Sequence, residues 1–206
     1  MTAYTCPQCG ATVREPHLMS SHFHCSKHGE VPPRHAATIL DNRHVEQQLR
    51  DSQVPAWLPW PLPKGWVSAG MQLVGDAAGG IQAVATAVTG PALTYGPADL
   101  IIVAEKPGTG LGCWLAGLSA GGPDVSFTDR SSDAKVRFRD RFIPLWNIEA
   151  EDVTVYVGES AGCWLWLLAW PESAWSVIHD GLRLVDLRSI GPEVDIPAGA
   201  VSPRLL

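Results

Sequence analysis

The hydrophobic pattern of this chain peaks at Cys163 to Trp170, CWLWLLAW, its longest apolar run. Short runs do not fix a period by themselves, but the tryptophans and the flanking Gly162 and Pro171 favour a strand over a helix. Alternation then puts Trp164, Trp166, Leu168 and Trp170 on one face and Cys163, Leu165, Leu167 and Ala169 on the other, the pattern of a central strand covered on both sides. Leu100 to Ala104, LIIVA, reads as a second strand of that kind. From Val67, the segments VSAGMQLVG and IQAVATAVTG, with Asp76 to Gly80 as a turn between them, predict a hairpin. Lys135 to Phe142, KVRFRDRF, reads as one strand with Lys135, Arg137, Arg139 and Arg141 on one face, opposed by Val136, Phe138 and Phe142.

The main run also has an echo. Val103 to Leu115 reads VAEKPGTGLGCWL against VYVGESAGCWL, so that Glu105 pairs with Glu159, Cys113 with Cys163, Trp114 with Trp164 and Leu115 with Leu165. Two related units building one core are expected from this. In the tail, Trp175, Ile178, Leu182 and Val185 fit a helical face, while Leu182 to Leu187 also fits a strand, which is preferred. Pro192, Pro197 and Pro203 predict an extended surface segment at the end of the chain.

Between residues 36 and 66 the pattern is that of a connector. Asp41 or Asn42 can cap a short helix that docks Val45 and Leu49 at i, i+4 spacing. Pro55 to Trp66, PAWLPWPLPKGW, carries prolines that favour an extended polyproline strap, with Trp57, Trp60 and Trp66 packed as indoles over the core.

The first 35 residues bring in chemistry. Cys6-Pro-Gln-Cys9-Gly10 and Cys25-Ser-Lys-His28-Gly29 are two matching knuckles. Two residues between ligands let a tight turn aim both side chains at one ion, and the glycine after each knuckle tolerates the positive φ of such a turn. Cys6, Cys9, Cys25 and His28 complete a tetrahedral, thiolate-rich set suited to zinc or iron, with His22 or His24 as alternatives to His28. Four protein ligands leave no open coordination position, so a Zn2+ held there is structural.

Bulk properties narrow the function classes. At 206 residues and 46% apolar content the chain suits one globular core with a small attached module. Its start lacks a signal-peptide pattern, and the run at Cys163 is far short of the roughly 20 residues that span a bilayer. Five cysteines, three of them in metal-ligand spacing, suit a cytoplasmic protein without disulfides, with Cys113 and Cys163 as small core residues. A net charge of -6 argues against a nucleic-acid binder.

Three features are candidates for a site. Glu105 and Glu159, equivalent positions of the echo, could bring two carboxylates to one cleft for acid and base work, or be solvated strand ends, the preferred reading. The Gly108 to Gly112 loop could cradle a phosphate through backbone N–H groups, but it lacks the Lys and Ser or Thr of a P-loop and a convincing helix after it, and reads better as a hairpin turn. The stripe Lys135, Arg137, Arg139 and Arg141 stands out on an acidic body and could receive an acidic partner, or guard an exposed strand edge. His179 with Asp180 reads as a surface pair.

The two knuckles together with WLPWPLPKGW, GPADLIIVAE, GTGLG, WLWLLAWPE and the terminal SPRLL make the chain similar to an uncharacterised actinobacterial family, a domain of unknown function, over nearly its whole length. Some members of that family are automatically labelled phosphotransacetylase, which implies moving an acetyl group between coenzyme A and phosphate. Enzymes of that class are larger α/β proteins, whereas this chain reads as short hairpins with a metal knuckle.

The expectation is therefore a mainly β protein, with α+β as the variant, in three parts: a zinc-ribbon-like module at 1–35, a helical connector and Pro/Trp strap at 36–66, and a β-rich body at 67–206. Its expected role is that of a non-enzymatic cytoplasmic binding protein whose basic strand face meets a protein partner. The alternative is an enzyme using Glu105, Glu159 and the Gly108 to Gly112 loop for acetyl or phosphoryl transfer on a small anionic substrate.

Overall fold

The computed structural model describes residues 4–41, 44–92, 96–119, 123, 129–179, 181–190 and 194–206. Asn42, Asp180 and Pro192 lie outside these residues. Two short strands of the amino-terminal module, β1 (His24–Cys25) and β2 (Gly29–Glu30), pair with each other. The remaining strands are β3 (Trp57–Pro59), β4 (Val67–Asp76), β5 (Gly80–Pro91), β6 (Pro97–Glu105), β7 (Ala134–Phe138), β8 (Arg141–Ile148), β9 (Thr154–Ser160), β10 (Cys163–Trp170) and β11 (Arg183–Asp186). They form one nine-stranded sheet in the order β3-β11-β7-β8-β9-β10-β6-β5-β4, antiparallel except where β11 meets β7. The protein is mostly β, as its alternating patterns imply.

Strand β10 sits between β6 and β9, and its two faces divide as its alternation dictates. Leu165, Leu167 and Ala169 join Leu100, Ile102 and Ala104 of β6 in the larger core. Trp166, Leu168 and Trp170 join Ile101 and Val103 in a second core on the opposite face. Such double coverage leaves no room for polar side chains, which explains the unbroken apolar runs.

The sheet curls so that β3 comes to lie over β5 and β6, where Thr86 Oγ1 donates to the Trp57 carbonyl. The bend runs through β8. Its first half pairs with β7, while only Trp146 to Ile148 pair with β9. Two residues permit the corner: Pro144 has no N–H to continue the β9 ladder, and Gly158 lies so close to the Pro144 carbonyl that a β-carbon would come within 2.4 Å of its oxygen. Curling encloses the larger core, into which Trp57 and Trp66 insert. The Pro-rich strap thus buries these two indoles, and its Trp57–Pro59 segment is a sheet strand, not a polyproline strap.

Among the described residues the α-helices are few and short: α1 (Val45–Gln48), α2 (Leu111–Leu115) and α3 (Trp175–His179). Helix α1 docks Val45 and Leu49 as the connector pattern requires, and the Asp41 carbonyl accepts from His44 and Val45 N–H at its start. The tail is extended, but it is not confined to the surface: Ile196, Ser202 and Leu205 are buried, and Gly199 N–H donates to the Ser68 carbonyl of β4. Among the described residues no helix is long and apolar enough to cross a membrane.

The echo between the two Gly-Cys-Trp-Leu segments does not extend to secondary structure. Cys113 to Leu115 belongs to α2, whereas Cys163 to Leu165 opens β10. Both cysteines are buried and unoxidised, as small core residues.

Candidate metal centre

In the amino-terminal module, the ligand atoms of Cys6, Cys9, Cys25 and His28 all lie within 4.8 Å of one another. Cys6 Sγ is 3.4 Å and Cys25 Sγ 3.7 Å from His28 Nδ1, and Cys9 Sγ is 3.8 Å from Cys25 Sγ. These are separations of atoms that face a common point, and they suit a single metal ion with Nδ1 as the imidazole donor. His28 occupies the position for which His22 and His24 were alternatives. The glycines act as their spacing implies: Gly10 and Gly29 take φ values of 69° and 71°, and Gly10 N–H closes the first knuckle onto the Cys6 carbonyl.

The electrostatics of the cluster call for a cation. Burial pushes the Cys6 thiol up to about 12, and its neighbours Cys25 and Cys9 add to the rise. Burial also opposes ionisation of Cys25, but the amides of Lys27 and His28, followed by the His28 ring, hold that thiol down at about 6. Thiols this crowded do not all ionise together unless a positive ion compensates them, which is what a bound metal does.

The module rests on the sheet through its first knuckle. Arg34 pairs with Thr5 on one side and with Val74 of β4 on the other. Gly10 faces the Trp114 ring of α2, at a distance where a β-carbon would sit 3.1 Å from it. Gln8 Nε2 donates to the Gly108 carbonyl at 3.3 Å.

Under this contact the Gly108 to Gly112 loop turns into α2, so a short helix does begin where none was expected from sequence. Gly110, at φ 85°, directs the next amides inward. Leu111 and Gly112 N–H donate to Glu105 Oε2 and Oε1 at 2.7 and 3.3 Å. These amides are therefore occupied by an internal carboxylate. Glu105 is 2% exposed. Burial raises its carboxyl to about 7, against the opposing pull of the Gly112 and Leu111 amides.

Glu159 has a different environment. Glu105 and Glu159 both stand opposite Trp164, one on each neighbouring strand, which separates their backbones by about two strand spacings, roughly 10 Å, on one face. Glu159 is exposed, and it lines a groove at the sheet corner that Glu105 does not line.

That groove, of about 630 Å³, lies between the β7–β8 and β9–β10 hairpin tips. Phe138 to Pro144 form one wall, and Glu159, Ser160 and Ala161 the other. The basic stripe is rearranged here. Lys135 to Phe142 is not one strand: the chain reverses at Arg139 and Asp140, with Arg139 at φ 52°. Register pairs Arg137 with Phe142 and Phe138 with Arg141, so Lys135 and Arg137 share the outer face with Phe142 while Arg141 points to the opposite face. Lys135 Nζ lies 4.6 Å from the Phe142 ring centroid, and the Arg139 guanidinium 5.2 Å from that of Phe138. His179 is exposed and its Nε2 lies 2.8 Å from the Tyr156 hydroxyl; the pairing with Asp180 lies outside the described residues.

Sequence reasoning gives no role to Arg34, whose partners Trp114 and Thr5 are remote from it along the chain. No curated protein and no solved structure shows a match to the chain. One family model does, over residues 1–205, and the chain belongs to that family, the family of unknown function DUF6758.

Proposed function

We propose that the chain is a zinc-stapled, non-enzymatic binding protein of the cytoplasm, and that the groove at the sheet corner receives an acidic segment of a protein partner. The observation that carries this reading is the hairpin tip at the groove: Arg139 and Arg141 stand there with Phe138 and Phe142, facing the groove's own carboxylates, Asp140 and Glu159, on a protein whose net charge is -6. Lys135, held over Phe142, and Arg137 add positive charge beside it. Cations on aromatic rings hold their heads at the surface while the rings offer apolar contact, a combination suited to alternating acidic and apolar side chains. Zinc in the Cys3His cluster is structural, because the four donors come from the chain. Glu105 serves the interior, its carboxylate engaged by the α2 amides, and this disfavours a paired-carboxylate mechanism with Glu159.

The test is fluorescence anisotropy with a labelled peptide of alternating Glu and Val, set against its Lys and Val counterpart. The acidic peptide binds and the basic one does not, and Arg139→Glu with Arg141→Glu abolishes binding without changing the zinc content. Equal binding of both peptides, or acidic-peptide binding indifferent to the charge reversal, removes the groove as the site.

A further inference from the structure

Arg34 is 7% exposed, and its Nη1 has no hydrogen-bond partner among the described residues. Its guanidinium carbon lies 3.7 Å from the Trp114 ring centroid, and its Nε donates to Thr5 Oγ1 at 2.8 Å. Neither contact supplies a counter-charge, and a buried guanidinium without one is expensive. No salt bridge to Arg34 occurs among the described residues; yet Arg34 is tied to Thr5, the neighbour of Cys6, and lies on the ring that Gly10, the neighbour of Cys9, faces. Three thiolates and a neutral imidazole around a divalent ion leave one negative charge in excess. The cluster and the arginine therefore lack what the other has.

Resting on the zinc reading of the cluster, we propose that Arg34 is the buried counter-ion of the loaded metal centre, held on the Cys6 and Cys9 side of it by Thr5 and the Trp114 ring. Because Trp114 belongs to α2 and Gly10 of the first knuckle also faces its ring, filling the centre fastens the amino-terminal module to the sheet. Metal affinity and docking of the module become one equilibrium, since a charge that stabilises the loaded state does so through a contact made only when docked. Arg34 is thus a positioning residue. Its effect depends on charge, which distinguishes it from a side chain that merely fills space.

Competition for Zn2+ between the full-length chain and a chromophoric chelator reads this directly. Arg34→Met weakens zinc binding about 10- to 100-fold, the range usual for groups that support metal ligands. Arg34→Lys, which keeps the charge, weakens it less. The decisive variant is Cys9→His, which exchanges one thiolate for a neutral imidazole and makes the loaded centre neutral. In that background Arg34→Met costs little, so the two changes couple strongly in a double-mutant cycle. If Arg34→Met alone does not fold with zinc present, adding Cys9→His restores folding.

Equal losses from Arg34→Met in both backgrounds, or failure of both the single and the double variant to fold, overturn the counter-ion role and leave Arg34 a packing residue. So does unaltered zinc affinity in Arg34→Met. Those results leave the metal centre standing, whereas an unaltered chain that takes up no zinc overturns the centre and the counter-ion together.

Discussion

The indole of Trp166 rests on Gly112 so closely that a β-carbon added at Gly112 would lie 2.4 Å from its ring. Trp166 is wholly buried in β10, so it has no route of retreat, and the backbone of α2 approaches it only because residue 112 has no side chain. The same residue supplies one of the two amides that hold Glu105. Gly112→Ala should therefore cost about 1–3 kcal/mol in urea denaturation, the usual penalty for overpacking. Trp166→Leu in the Gly112→Ala background should recover part of it relative to the sum of the single changes. Strict additivity would mean that the contact is not what limits residue 112.

Glu105 should make stability fall with rising pH. Its carboxyl titrates near 7 in the folded protein, against a reference value of 4.5. The folded state therefore binds more protons than the unfolded state between these values. Stability from this group is complete below about 4.5 and is lost as pH rises through about 7, by on the order of 3 kcal/mol at 1.36 per unit. Glu105→Gln should flatten this slope, read as the difference between the two proteins' urea midpoints from pH 5 to 8. Parallel profiles for the two proteins would place the titration elsewhere.

What the sequence reveals depends on how local the deciding interactions are. The faces of β10 are readable because alternation alone sets them, and the Cys3His cluster because each knuckle is complete within four residues. Cys113-Trp114-Leu115 and Cys163-Trp164-Leu165 are the same tripeptide and fold differently. The first is drawn into a helix by a left-handed Gly110 and by Glu105, which accepts its leading amides, neither of which the tripeptide contains. The reversal at Arg139 and Asp140 is hidden for another reason. Arg139 continues the alternation of its neighbours, with Asp140 alone interrupting it, and the positive φ falls on an arginine where a glycine would have signalled it. Arg34 is legible only in three dimensions, because Thr5 reaches it across the module and Trp114 across the interface between module and sheet.

Metal removal should separate module from sheet. Apart from Cys6 and Cys25, the core of the module is Val13, Phe23 and Val31, too small to hold a fold without a staple. Purified protein should contain about one equivalent of zinc, the stoichiometry of a single four-ligand site. Stripping it with a strong chelator, or changing Cys25 to Ser, should leave the β signal in far-ultraviolet circular dichroism nearly intact. Protease sensitivity within residues 4–35 should rise, and tryptophan emission should shift as Trp114 loses its cover. Metal-free protein that resists protease as well as the loaded form would show that the module stands by itself.

The carboxyl end offers two adjacent leucines with opposite fates. Leu205 is fully buried in the core under α2 and β10, and its carbonyl accepts from Gln72 Nε2 at 3.1 Å, whereas Leu206 is 75% exposed. The turn that aims Leu205 inward is set by Ser202, whose N–H donates to the Ala69 carbonyl and whose hydroxyl accepts from Arg204 N–H. Ala69 and Gly70 are small on the strand that receives it; at Gly70 a β-carbon would come within 3.5 Å of the Leu205 side chain. Leu205→Ala should thus lower stability by about 2–4 kcal/mol, through lost transfer energy and a residual cavity. Leu206→Ala should change it by no more than about 0.5 kcal/mol, as at an ordinary surface position. Paired urea titrations of the two variants compare them on one scale. Equal midpoints would mean that the tail lies on β4 without contributing to the core, and that the outer face of the sheet is closed by α2 and the amino-terminal module alone.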